Sequence, residues 1–257
     1  MADIRNDRDA AASVGKPAQQ HEAAATESPD RSGDEGPIQL AVFDFDGTSI
    51  SGNSPVMLVR YLIQHDMLKK SVVARILLWA AAYKLRLPQN ESWVRGLVFR
   101  AFLGMPYEEA DAFMRRFYDE KVDARFRPEA DAAMAAHRAE GHVVVVVSAT
   151  FEPIILRAME RHPFEHQIST RMVIDGNGHY TCTVEGLPIE GEEKIDALRR
   201  FADARYGAGK WELGYAYGDH HSDRSLLSAA KHAYAVSPDK PLSRTARRQG
   251  WEILNWE

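Results

Sequence analysis

Two aspartates one residue apart, Asp44 and Asp46, end an apolar run in the stretch VFDFDGTSI. In an extended strand, residues two apart point the same way, so both carboxylates share a face while Phe45 points into packing. Carboxylates this close repel each other, and burial makes each charge more costly. The pair therefore requires positive charge from elsewhere in the chain or from a bound cation.

This pair of acids suits chemistry on a phosphate ester. A carboxylate is ionised at neutral pH and can attack phosphorus, while a second can give a proton to the leaving group and later take one from water. Attack by an anion on a phosphate ester is feasible only with cations in the site, and Mg²⁺ is a hard ion that prefers oxygen ligands. The pattern predicts phosphoryl chemistry with Mg²⁺ as cofactor.

Later segments supply further polar groups for such a site. The stretch GDHHSD follows a predicted strand and places Asp219 at its end and Asp223 one turn into the next helix. Asp219 would complete a metal site begun by Asp44, and Asp223 would orient it or a bound water. Ser148, after a run of valines, can donate its hydroxyl to phosphate oxygens, and Lys194 can bring a positive charge to them.

Each feature has a simpler explanation when it stands alone. Acids at strand ends are often solvated or cap helices, and a single lysine is most often a surface residue. His220 and His221 suggest zinc, but they lack a third nitrogen or sulfur ligand at suitable spacing, so we interpret them as pocket-lining or solvated. Together, each at a strand's carboxyl end or a following helix start, the features predict a hydrolase site.

The four stretches, in this order, resemble the haloacid dehalogenase superfamily of phosphohydrolases. DFDGT resembles its first motif, SAT the second, the lysine of GEEKI the third and GDHHSD the fourth. The resemblance covers roughly residues 38–257. The segment after the first motif is similar to the helical cap of subfamily IB, the phosphoserine-phosphatase-like branch.

The resemblance implies a role for each site residue. It makes Asp44 the nucleophile that forms an aspartyl-phosphate and Asp46 the general acid and base. It implies that Mg²⁺ is held by Asp44, the backbone carbonyl of Asp46 and Asp219, with Asp223 as a further metal-site residue. Three side chains are expected to bind the phosphate group: Ser148, Lys194 and Thr48.

Strands that alternate with helices predict an α/β fold with a doubly wound, mostly parallel sheet. The predicted strands are Ile38–Phe43, His142–Thr150, Leu213–Tyr217 and His232–Val236, with a hairpin around Asp175–Gly178 and a last edge strand in GWEILNW. The predicted helices are Ser54–Leu68, Val72–Leu85, Glu91–Phe102, Tyr107–Val122, Pro128–Glu140, Pro153–Arg161, Glu192–Arg205 and Ser222–Ala230. Ser54 and Pro55 are expected to cap the first of them.

The segment from 54 to 126 contains no convincing strand and predicts an all-helical cap inserted after the first strand. The core would then comprise residues 38–53 and 127–257, with the cap over the carboxyl ends of the strands, where such sheets bind ligands. Residues 1–37 have no apolar core segment, and their acids outnumber their bases eight to four. We interpret them as a disordered tail and not as a secretory signal.

The net charge and the cysteine content limit the kinds of partner and compartment that fit the chain. A formal net charge of -5 argues against a nucleic-acid-binding surface. The single cysteine, Cys182, excludes an internal disulfide, fits a reducing compartment and is expected to serve in packing. These features favour a cytoplasmic protein.

A large cap that closes over the site favours a small phosphorylated metabolite as substrate. Three residues are candidates for the substrate pocket: Asn53, Arg95 and Arg100. Phosphoserine phosphatases of the resembled branch carry a glutamate seven residues beyond the second aspartate, where it meets the substrate's ammonium group. Asn53 stands at that position here, so phosphoserine is not expected to be the preferred substrate.

Two other functions remain open. The first is a lipid-phosphate phosphatase at a membrane surface, suggested by the amphipathic set Trp79, Tyr83, Lys84 and Arg86, although membrane contact is not favoured. The second is a non-hydrolytic phospho-aspartate signalling or binding protein. A receiver-type signalling domain would need a spare aspartate at the end of a later strand and would lack the helical insertion.

Overall fold

A computed structural model describes residues 36–68, 71–75 and 98–257. The strands are β1 (Ile38–Asp44), β2 (Val143–Phe151), β3 (His166–Thr170), β4 (Met172–Ile174), β5 (Tyr180–Val184), β6 (Trp211–Gly218), β7 (His232–Val236) and β8 (Glu252–Leu254). Six of them pair in parallel in the order β3-β2-β1-β6-β7-β8, while β4 and β5 form a separate antiparallel pair. The predicted doubly wound, mostly parallel α/β fold is confirmed.

Helices connect these strands on both sides of the sheet. They are α1 (Ser54–Gln64), α2 (Tyr107–Phe117), α3 (Pro128–Ala139), α4 (Glu152–Met159), α5 (Glu192–Tyr206), α6 (Arg224–Ala229) and α7 (Lys240–Gln249). A π-helical turn and a 3-10 turn extend α2 to residue 125, and a second 3-10 turn, His221–Asp223, precedes α6. Residues 71–75 and 98–101 are also helical.

The apolar side chains of β1 pack alternately against two separate clusters of buried residues. Phe43 lies in one cluster with Tyr61 and Phe117, whereas Val42 lies in the other with Leu198. Burial on both faces explains why the central strands consist of continuous apolar runs. The described helical residues after β1 thus share a core with one face of the sheet.

Three local details differ from the sequence-based expectations. Asn53, not Ser54, caps α1, since its side chain accepts a hydrogen bond from the Val56 amide at 3.0 Å. The strand β3 joins the main sheet ahead of the hairpin and was not predicted separately. The helix α7 was not predicted either, although its cap, Asp239, accepts a hydrogen bond from the Leu242 amide at 2.7 Å.

The described part of the segment from 54 to 126 contains helices and no strand. Most of the predicted helices Val72–Leu85 and Glu91–Phe102 lies outside the described residues, as do Arg95 and the aromatic and basic residues from Trp79 to Arg86. The packing role expected for Cys182 is wrong, because this side chain is exposed on β5. No helix within the described ranges is long and apolar enough to cross a membrane.

Candidate active site

The register of the sheet brings the predicted site residues to one edge. Asp44, the last residue of β1, pairs with Val147, so Ser148 lies one residue further along β2. On the other side of β1, Phe43 pairs with Tyr217 of β6, and Asp219 follows directly after that strand. Because the carboxyl ends of parallel strands meet at the same edge, three adjacent strands deliver polar side chains to one place.

Lys194 links two of the predicted acids. Its Nζ donates to Asp44 Oδ1 at 2.6 Å and to Asp223 Oδ1 at 2.5 Å, and all three residues are buried. The lysine stands in the first turn of α5, and Asp223 closes the 3-10 turn before α6, so two helix starts supply this ion pair. The positive charge missing beside Asp44 in the sequence therefore comes from a residue 150 positions away.

Asp219 completes a group of three carboxylates. One oxygen each from Asp44, Asp219 and Asp223 lies within 4.8 Å of the others. The hydroxyl of Thr48 lies 3.4 Å from Asp44 Oδ2 and 3.4 Å from Asp219 Oδ1. Two carboxylates thus contact one lysine and a third lies beside them, so an ionised set would keep a surplus of negative charge.

The pKa values of the acids reflect first their burial and then this surplus. Burial raises the pKa of Asp44 well above its usual range, against the opposing effect of Lys194. Burial and the neighbouring Asp223 raise the pKa of Asp219 to about 6. Burial alone would lower the pKa of Lys194, but Asp223 and Asp44 outweigh it, so this pKa is raised and the lysine stays charged. A bound cation would relieve the repulsion that remains.

The donor set fits a hard divalent cation. Carboxylate and hydroxyl oxygens are the ligands that such ions prefer. Gly47 lets the chain turn closely over this place: its φ is +83°, and a Cβ added there would overlap Asp219 Oδ2. The glycine therefore allows the backbone to approach Asp219 as no other residue could.

Asp46 is hydrogen-bonded by Ser54 and Thr150, two partners that the sequence analysis did not predict. Its Oδ1 accepts a hydrogen bond from the Ser54 amide, and its Oδ2 accepts from the hydroxyls of Ser54 at 3.1 Å and Thr150 at 2.7 Å. Burial raises the pKa of Asp46, and these hydrogen bonds oppose that rise. Two signals were available in the sequence: Ser54 is a polar residue directly before Pro55, and Thr150 is the threonine of SAT. Neither signal indicated Asp46 as the partner.

Ser148 is buried at the end of its strand, and its Oγ accepts a hydrogen bond from the Thr150 amide at 3.0 Å. The two residues thus connect the second motif to Asp46. Asn53 and Arg100, expected in the substrate pocket, are both exposed. His220 and His221 are exposed too, and the His220 amide donates to Asp223 Oδ2 at 3.2 Å.

The fold and the site define a class: a parallel α/β sheet with acids and one lysine gathered at the carboxyl edge. Residues 41–228 match the family model described as haloacid dehalogenase-like hydrolase. The chain belongs to the haloacid dehalogenase-like hydrolase family.

Individual relatives agree with this membership. The chain is 28% identical to a histidinol-phosphatase of Neisseria meningitidis, over 85% of this chain and 99% of that protein. In fold it is similar to a protein of unknown function from Bordetella pertussis, with a TM-score of 0.75, 22% identity and coverage of 85% of this chain and 99% of that one. It is also similar to a substrate-bound phosphoserine phosphatase, with a TM-score of 0.58, 18% identity and coverage of 86% and 94%. The protein is a phosphatase of this family.

Proposed function

We propose that this phosphatase hydrolyses a small phosphomonoester with the help of Mg²⁺, through an aspartyl-phosphate formed on Asp44. The observation that supports this most directly is the buried contact of Lys194 with Asp44 and Asp223, beside Asp219. Such an arrangement keeps a carboxylate nucleophile next to positive charge in a dry environment, where electrostatic effects are strong.

In the first step Asp44 attacks phosphorus, and the bond between phosphorus and the ester oxygen breaks. Asp46 gives a proton to the departing oxygen, a role for which its raised pKa suits it. The hydrogen bonds from Ser54 and Thr150 hold the Asp46 carboxyl in place while it does so. Lys194, Ser148 and Thr48 donate to the phosphate oxygens.

In the second step water attacks the phosphorus of the aspartyl-phosphate. Asp46, now ionised, takes a proton from that water, the bond to Asp44 breaks, and inorganic phosphate leaves. The Mg²⁺ ion would be held by Asp44, Asp219 and the Asp46 carbonyl, with Asp223 beside them, and would supply positive charge for the transferred group.

The substrate class rests on two arguments. The helical segment after β1 resembles a cap, and a cap that encloses the site suits a small metabolite in the cytoplasm. Histidinol phosphate is the first compound to test, because a relative spanning nearly the same length is named histidinol-phosphatase. A lipid phosphate is the weaker candidate, since the residues that suggested it lie outside the described ranges.

A non-hydrolytic signalling role is disfavoured by Asp46. A protein that stores its aspartyl-phosphate has no use for a second acid able to activate water. Here that acid is present and is held by Ser54 and Thr150.

The central test is a screen of small phosphomonoesters with Mg²⁺ and with EDTA, on the parent protein and on Asp44→Asn. We expect turnover of an aryl phosphate to require Mg²⁺ and to disappear in Asp44→Asn, while circular dichroism shows a folded protein. The exposed Asp196→Asn change, on the surface of α5, is the control and should leave turnover unaltered. Near-normal turnover of Asp44→Asn would show that Asp44 is not the nucleophile.

A second variant tests the two-step mechanism. Asp46→Asn removes the base for water attack and should slow breakdown of the phospho-enzyme by about a hundredfold or more. Rapid quench with labelled substrate should then recover phosphate on Asp44. Absence of any covalent species under these conditions would contradict the aspartyl-phosphate.

A further inference from the structure

Outside the active site, three metal-ligating side chains converge near the start of β2. His137 lies in the last turn of α3, Glu140 follows that helix, and His142 immediately precedes β2. His142 is therefore at the opposite end of β2 from Ser148. The phosphatase mechanism uses none of the three.

The distances between the ligand atoms suit one ion. His137 Nδ1 lies 3.0 Å from His142 Nδ1, and His142 Nδ1 lies 3.5 Å from Glu140 Oε2. The three ligand atoms all lie within 4.8 Å of one another. A tetrahedral Zn²⁺ with ligands at about 2.0–2.1 Å separates its ligand atoms by about 3.3–3.4 Å. The two measured separations bracket that value, so small rotations of the side chains would admit the ion.

The outer nitrogen of His137 has a partner of its own. Its Nε2 lies 2.9 Å from the hydroxyl of Tyr217, and the ring of Tyr215 packs on both imidazoles, with centroids 4.5 and 4.9 Å away. If His137 Nε2 donates to Tyr217, its Nδ1 carries a lone pair directed at His142. Histidine ligands of metal ions are commonly held in this way by a hydrogen bond on the far nitrogen.

The cluster also has an open side. His137 is buried, whereas Glu140 is exposed, so an ion can enter from solvent and exchange water there. Without metal, the short contact between the two Nδ1 atoms is a hydrogen bond that uses a single proton. When His142 carries its proton on Nε2 instead, both Nδ1 atoms present lone pairs and a cation can bind the two at once.

We propose that His137, Glu140 and His142 form a Zn²⁺ site, with water in the fourth position. Two imidazole nitrogens and one carboxylate oxygen are a ligand set that zinc takes in proteins. The nitrogen donors separate this site from the carboxylates around Asp44, which offer only oxygen and suit Mg²⁺.

The test uses the full chain in an Asp219→Asn background, so that the carboxylate site competes less for zinc. Metal-free protein is titrated with ZnCl₂ by calorimetry and with CoCl₂ by visible absorption, where Co²⁺ bound by nitrogen in a tetrahedral site absorbs strongly. We expect one ion per chain, with affinity at least about tenfold weaker in His142→Ala and in Glu140→Gln. Tyr217→Phe should weaken binding by about 10–100-fold, because it removes the partner of His137.

His232→Ala is the matched control. His232 is exposed and stacks on Tyr215, the same ring that packs on His137 and His142, but it is not one of the three proposed ligands. It should bind zinc as the background protein does. Equal zinc affinity in the background, Glu140→Gln and His142→Ala proteins would overturn the proposal, as would a Co²⁺ spectrum without tetrahedral bands. If His142→Ala fails to fold, the exposed Glu140→Gln change decides alone.

Discussion

The buried base of the candidate site and the exposed residues expected to line its substrate pocket, here called the rim, are built in opposite ways. At the base, Lys194 touches two buried carboxylates. At the rim, Asn53 and Arg100 face solvent, and the described bond of the Asn53 side chain is to a backbone amide of its own helix. A substitution at the base must therefore disturb the charge balance of a buried site. A substitution at the rim changes an exposed side chain and leaves that charge balance intact.

This difference separates reaction type from substrate choice. The base carries the acids and the lysine that, under the proposed function, any phosphomonoester would meet, and Lys194 links two of these acids. Under the proposed function, the rim residues would meet only the variable part of a substrate. A family can thus keep one chemistry while its members act on different compounds, because the two sets of residues change independently.

The largest effect is expected from Lys194→Met. The change leaves Asp44 and Asp223 buried without their cation, and breaking one side of a buried pair typically costs about 3–5 kcal/mol of unfolding free energy. We expect a loss of this size in urea titrations without Mg²⁺, partial recovery with Mg²⁺, and turnover reduced by at least about a thousandfold.

The matched control for Lys194→Met is Lys231→Met, which removes a lysine that is also paired with a carboxylate but lies at the surface. Lys231 donates to Glu212 at 2.5 Å, but its side chain is 57% exposed. Such pairs contribute about 0–1 kcal/mol, so stability and turnover should stay close to those of the parent. Similar losses in the two variants would contradict the contrast between the base and the surface.

The sequence was sufficient to predict much of the base, for a physical reason. Asp44, Ser148 and Asp219 each follow an apolar run, and in a parallel sheet the ends of such runs must meet. The helix start that carries Lys194 follows from the same alternation of strands and helices. The apolar runs locate the strands, and the rule that parallel strands end at one edge of the sheet brings these residues together. No knowledge of side-chain contacts is needed.

What the sequence could not show depends on contacts between distant segments. The local sequence predicts Ser54 as a helix cap, but its hydroxyl contacts Asp46 and Thr150 instead. The cap is the neighbouring residue, Asn53. Likewise, Cys182 stands in an alternating strand where one face is expected to be buried, but β4 and β5 pair outside the main sheet and leave it exposed. Neither outcome is encoded in a local pattern.

A smaller effect is expected from Gly47→Ala. An added Cβ would overlap the Asp219 carboxylate and push it away from Asp44, so Mg²⁺ affinity and kcat/KM should fall by about tenfold or more. Calorimetric titration with Mg²⁺ measures the first quantity and steady-state kinetics the second.

Gly178→Ala separates this displacement from simple backbone strain. Gly178 has a φ of +80° but no atom within 4 Å of an added Cβ. Both substitutions carry the penalty of a left-handed residue, about 1–2 kcal/mol, whereas only that at Gly47 reaches the site. Loss of Mg²⁺ affinity in both variants would mean that Gly47 acts through stability and not through Asp219.

The smallest effect is expected at the rim, where, by the resemblance, Asn53 stands at the position of a glutamate of phosphoserine phosphatases. Asparagine is neutral and cannot pair with a desolvated ammonium group, and its Oδ1 already accepts the Val56 amide as the cap of α1. No Asp or Glu occurs between Asp46 and Asp66, so a shifted loop cannot supply the missing charge. Phosphoserine should therefore not lead a ranking of kcat/KM across small phosphomonoesters.

Substitution at this position can test the argument without loss of the helix cap. Asn53→Asp keeps a good cap and adds a negative charge, so kcat/KM for phosphoserine should rise severalfold relative to glycerol phosphate, which has no ammonium group. Asn53→Ser keeps the cap without the charge and should leave that ratio unaltered. Asn53→Ala should cost about 1 kcal/mol of stability with no change in ranking. If phosphoserine already leads the parent's ranking by tenfold, about 1.4 kcal/mol, then another part of the rim recognises the ammonium group and Asn53 does not set the choice of substrate.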